Sequence, residues 1–176
     1  MLENYLNTSR KIIFLTTGGT IEKTYDEGDG SLANRTSLIE PRILSKLRLP
    51  YTSWEVSSIM FKDSLDMTDV DREVIAKNIQ DTQEKGHPII VIHGTDTMAE
   101  TAAFCHEKFS PKVPVIFTGA MRPVGLEDTD AHQNVTEALV TSKLLKKGFY
   151  VAFHGEVFSV PNVRKNKKKG TFEQVT

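Results

Sequence analysis

The sequence predicts a three-layer α/β/α domain on a mainly parallel sheet, and three observations carry that prediction. Short apolar runs without alternation recur, most clearly at Ile12-Ile13-Phe14-Leu15 and Ile89-Ile90-Val91-Ile92; such runs read as strands buried on both faces. Helical patterns of 10 to 18 residues separate the strands, as parallel pairing requires. Both runs end at glycine and then present a threonine, in Gly18-Gly19-Thr20 and Gly94-Thr95. Glycine there allows a sharp turn at the strand's C-terminal end, where open α/β sheets hold their ligands.

The elements follow in order. After the first strand, residues 22–37 are polar, contain Gly28-Asp29-Gly30, and show no periodicity, so they read as a mobile loop. Residues 41–49 suggest a short helix before Pro50, and residues 54–60 a second strand. Thr68-Asp69-Val70-Asp71 offers an N-cap with early acidic residues. Val70, Val74, Ile75 and Ile79 are expected on one buried face of that helix, with Gly86 and Pro88 stopping it. Strand 89–92, a helix over 98–107 and strand 113–118 come next. Asp130 is placed as the cap of a helix reaching Lys147, with Val135, Leu139 and Leu145 turned inward, and Gly148 leads into strand 149–153.

At 176 residues the chain is expected to be one domain, spanning residues 1–176. A charged content of 26% and a net charge of -1 argue for neither a nucleic-acid nor a membrane partner. The single cysteine, Cys105, sits among apolar neighbours and reads as a core position, with no Cys/His cluster for zinc. Residues 1–7 lack a basic start and a long apolar run, so no signal peptide is expected. No segment approaches the ~20 apolar residues of a membrane span, and a cytoplasmic location is expected.

Several residues bear chemistry on two readings. Thr20 is either a nucleophile served by a partner such as Tyr25 from the following loop, or a turn hydroxyl bonding its own backbone. A phosphate-binding turn is disfavoured, because neither GxGxxG nor GxxxxGK[ST] is present. Thr95 and Asp96 either share a proton network with an approaching lysine or cap the helix beginning near Met98. His93 reads as packed or hydrogen-bonded, and Lys167 to Lys169 as a solvated run. Asp128 and Asp130 lack the spacing of metal ligands.

Thr17-Gly18-Gly19-Thr20-Ile21, His93-Gly94-Thr95-Asp96-Thr97-Met98 and Gly119-Ala120-Met121-Arg122-Pro123 stand in the order found in bacterial L-asparaginases. The chain resembles that family's larger N-terminal domain from about Lys11 to Phe172, as a short form without the smaller C-terminal domain. The resemblance implies that Thr20 is the nucleophile and Tyr25 the lid tyrosine that activates it. It places Ser64, in Lys62-Asp63-Ser64-Leu65, on the substrate α-carboxylate. Thr95 and Asp96 match the second threonine and the aspartate that holds the α-ammonium, and Lys165 completes the Thr95 network. Gly19 and Gly94 would offer backbone amides in the substrate pocket, and Ala120 a backbone carbonyl near the substrate amide. Leu65 stands where many members have glutamine, which would favour asparagine over glutamine.

The implied activity is hydrolysis of L-asparagine to L-aspartate and ammonia with no metal or organic cofactor. A non-catalytic amino-acid-binding domain and an amidotransferase subunit are the alternatives. In two-domain members a polar residue from the partner's smaller domain completes the pocket. Here Asp63, Glu22 or a neighbouring subunit would close the α-ammonium side, or the site stays open and binds substrate weakly; a homodimer or higher homo-oligomer is expected.

Overall fold

The computed structural model describes residues 10–175; residues 1–7, read for a leader, lie outside them. A six-stranded sheet is built from β1 (Arg10–Gly18), β4 (Thr52–Lys62), β5 (Ile89–Ile92), β6 (Pro114–Thr118), β7 (Gly148–Phe153) and β8 (Glu156–Ser159). Its order is β4-β1-β5-β6-β7-β8, all parallel except the antiparallel β7–β8 pair. Within β1, Ile13 and Leu15 face one core while Ile12 and Phe14 face the other. That two-sided burial is why the apolar runs do not alternate. Helices α1 (Asp69–Gln83) and α2 (Met98–Lys108) cover the first face. Helix α3 (Ala131–Leu144) covers the second, with a π turn at Ile39–Ile43 and a 3-10 turn at Leu44–Lys46. The three layers are the expected ones. Among the described residues no helix is long and apolar enough to cross a membrane.

Several local expectations are corrected. The segment read as a loop folds into a hairpin, β2 (Lys23–Tyr25) with β3 (Leu32–Asn34), and Glu22 at its root is fully buried. The stretch expected to be a short helix over 41–49 is the π turn and 3-10 turn. Thr68 does cap α1, in a reciprocal capping box with Asp71. Val70 and Val74, however, face solvent, at 74% and 41% exposure. The buried stripe is Ile75, Ala76, Ile79 and Gln83; at about 100° per residue, Val70 lies opposite Ile79.

Asp130 stands at the N-cap position of α3, but its side chain caps nothing there. That helix stops at Leu144, short of Lys147, because Leu145 turns extended and packs on the second core. The sequence reading did not include β8, or the hairpin of β9 (Val163–Asn166) with β10 (Thr171–Gln174). The basic run is therefore part of a hairpin, with Lys167 to Lys169 exposed on it.

Candidate active site

Register sets the site. Thr16 pairs with Ile92, and Ile92 with Thr118, so β5 and β6 end level and β1 runs two residues further, to Gly18. The strand order reverses between β1 and β5, which is where ligands lie in sheets of this kind. The turn after β1 holds Gly19 at φ 86°. A Cβ there would come within 2.4 Å of the Gly94 Cα, and one on Gly94 within 2.5 Å of the Ser64 Oγ. Only glycine lets the two strand ends and the Ser64 turn approach so closely.

Around this junction the predicted residues gather. Thr95 is 3% exposed. The Lys165 Nζ, delivered by β9, donates to the Thr95 Oγ1 at 2.7 Å and to the Asp96 Oδ1 at 2.9 Å. The capping reading of Thr95 and Asp96 is thereby corrected: the residue before α2 is Thr97, whose hydroxyl donates to the Ser64 carbonyl at 2.8 Å. Ser64 is 1% exposed, and its Oγ has no hydrogen-bond partner among the described residues. Leu65 is exposed beside Asp96 and Lys165 on the wall of a cavity of about 450 Å³. Ala120 is buried just past β6. Thr20 opens a 3-10 turn, half-buried, directly after Gly19.

Charge is balanced here. Burial raises the Asp63 pKa, but bonds from the Lys23 amine and the Leu65 amide, with the fields of Lys23 and Lys165, bring it below the usual carboxylate range. Glu22 shows the opposite. Burial holds its pKa up against hydrogen bonds from the Ser37 hydroxyl (2.6 Å) and the Leu38 amide (3.2 Å), and its Oε2 has no partner among the described residues. Buried His93 is packed as expected, its ring edge-on to Phe117 and its Nδ1 2.8 Å from the Gly94 carbonyl.

A model of the N-terminal asparaginase domain matches residues 11–175. The chain belongs to the asparaginase family. It is 36% identical over 123 residues to a glutamyl-tRNA(Gln) amidotransferase subunit of Nanoarchaeum equitans, covering 69% of this chain and 31% of that one. It is 29% identical over 169 residues to L-asparaginase of Bacillus licheniformis, covering 89% and 50%. Among solved structures, the thermostable L-asparaginase of Thermococcus kodakarensis superposes with a TM-score of 0.82 at 26% identity, covering 93% of this chain and 51% of that one. The chain thus spans about half the length of these asparaginases, and less of the amidotransferase protein.

Against the family pattern, Tyr25 stands apart. It is 66% exposed on the β2–β3 hairpin and makes no hydrogen bond to Thr20 among the described residues. It lines a second cavity, of about 390 Å³, with Lys23, Leu32 and Leu126. The sequence reading missed Lys23, whose amine ties the hairpin to Asp63. Lys23 lies three residues beyond Thr20, yet nothing in its local pattern marks a partner 40 residues away.

Proposed function

We propose that the chain is an amidohydrolase that cleaves the side-chain amide of L-asparagine to L-aspartate and ammonia. The observation that supports this most strongly is the half-buried Lys165 amine donating to both Thr95 and Asp96. An ammonium so placed favours the anionic form of the threonine oxygen or of a water it activates. Ser64 and Asp96 suit the α-carboxylate and α-ammonium of an amino acid.

In this reading Thr20 attacks the amide carbon and gives its proton to Tyr25 or to a water. Tyr25 needs the β2–β3 hairpin to move inward before it can serve. Backbone amides at the Gly19 and Gly94 turns stabilise the oxyanion. The C–N bond then breaks as ammonia leaves with a proton, and water hydrolyses the acyl-Thr20 ester, with Thr95, Asp96 and Lys165 polarising it. No metal or cofactor is needed, and the reaction would take place in the cytoplasm.

The test is ammonia release by purified protein on L-asparagine, L-glutamine and D-asparagine side by side. Thr20→Ala and Lys165→Met should each lower kcat at least about 100-fold. Intact activity in both variants would show that these residues do not carry the reaction. A second reading is favoured by the likeness to a glutamyl-tRNA(Gln) amidotransferase component: the same chemistry supplying ammonia within a larger assembly. Rapid turnover of L-asparagine by the isolated chain argues against it.

A further inference from the structure

Outside the residues assigned above, one side-chain network joins the turn after β6 to the β9–β10 hairpin. The Asp130 carboxylate accepts the Met121 amide at 3.0 Å, the Arg122 amide at 3.1 Å and the Asn134 Nδ2 at 2.9 Å. Asn134 Nδ2 also donates to the Gly119 carbonyl at 2.9 Å. The backbone on both sides of Ala120 is therefore fixed from beneath. Asp130 also meets the His154 Nε2 at 2.9 Å, and the His154 Nδ1 lies 3.1 Å from the Thr171 Oγ1.

Thr171 opens β10, paired with Asn166, and the next pair in the ladder is Phe172 with Lys165. Bonds from Met121, His154 and Arg122 outweigh burial and keep the Asp130 carboxyl below its ordinary range. A carboxylate accepts only, so the His154 Nε2–H donates to Asp130, and the other ring nitrogen is left to the Thr171 hydroxyl.

The backbone of His154 has φ 52°, unusual for any residue but glycine. Such a conformation persists where the surroundings over-determine it. Here the His154 amide donates to the Asn134 Oδ1 at 3.1 Å while both ring nitrogens are engaged. The ring also lies 4.4 Å from that of Phe153, which packs edge-on to Phe172 at 5.0 Å.

We propose that Asp130 and His154 are positioning residues that clamp the Ala120 turn to the β9–β10 hairpin and so hold the Lys165 amine in register on Thr95. This rests on the amidohydrolase reading of the site. The first experiment compares Thr171→Val with Thr171→Ser. The valine should lower kcat about 10-fold with KM changed less than about two-fold, because the lysine is displaced while substrate contacts stay. Serine, which keeps the hydroxyl, should restore wild-type turnover. An unchanged kcat in Thr171→Val, or failure of the serine to restore it, overturns the proposal.

The second experiment is hydrogen–deuterium exchange, which needs no substrate. His154→Asn suits the left-handed backbone but is too short to reach both Asp130 and Thr171. Faster exchange in both the 119–123 turn and the 163–174 hairpin supports the clamp; a change confined to one of them overturns it. Should the wild type release no ammonia, the amidohydrolase reading fails by itself, and exchange still decides the clamp.

Discussion

Thr95 and Lys165 are 70 residues apart in sequence and meet at 2.7 Å. Their neighbours constrain that contact as tightly as the pair itself does. At Gly19, alanine would put a methyl against the Gly94 backbone while forcing a positive φ. Gly19→Ala should therefore destabilise by about 2–4 kcal/mol and abolish turnover, as chemical denaturation and ammonia release would show. His93, wholly buried, has its pKa pushed down to about 4, first by burial and then by the Arg72 charge, against the opposing Gly94 carbonyl. The unfolded ring takes a proton below about pH 6.5 while the folded one resists. The His93 contribution to stability is thus complete above pH 6.5 and falls by about 3 kcal/mol as the pH drops to 4. Urea midpoints across that range should show the loss, and His93→Asn should flatten it. Burial, then the charge of Glu73, raises the Cys105 thiol to about 12, so iodoacetamide should leave the native protein unlabelled and modify it in urea.

Elements were legible where one residue pattern served one burial pattern. The run Ile89–Ile92 is buried throughout and announces itself as a central strand. Thr68 and Asp71 announce the start of α1. The hairpins were not legible, since β2, β3, β9 and β10 are short and polar and are held by contacts made far away in sequence. Lys165 is the clearest case: inside a basic run it resembles a solvated charge, and only the β9–β10 ladder turns it inward.

Glu22 makes the same point for β2–β3, because its buried carboxyl ties Ser37 and Leu38, just beyond β3, to the turn that leads into β2. Its raised pKa has the opposite sign to that of His93. The folded protein holds the proton more tightly than the unfolded chain, so the contribution of Glu22 is greatest below about pH 4.5 and is lost as pH rises through the folded value. Glu22→Gln should be more stable than the wild type, by a margin that is larger at pH 8 than at pH 5 in thermal melts. A margin that shrinks as pH rises would mean that the carboxyl is stabilised as its anion.

For the whole molecule, the parallel sheet was foreseeable from three buried runs, but the strand order was not. The order places the turns after β1 and β5 side by side, and this turns two separate glycine–threonine signals into one pocket. Two carboxylates that could have closed the α-ammonium side of that pocket are committed elsewhere. Glu22 points into the interior, bonded to Ser37 and Leu38, and Asp63 is paired with Lys23. We propose that an α-ammonium held by Asp96 takes its second anion from a neighbouring copy of the chain. A homodimer is the expected state, with a sedimentation mass near twice 19.7 kDa. Its kcat/KM for L-asparagine should fall on dilution below the dissociation constant, as the shared wall is lost. A stable monomer with full activity at all concentrations would show that one chain completes its own pocket.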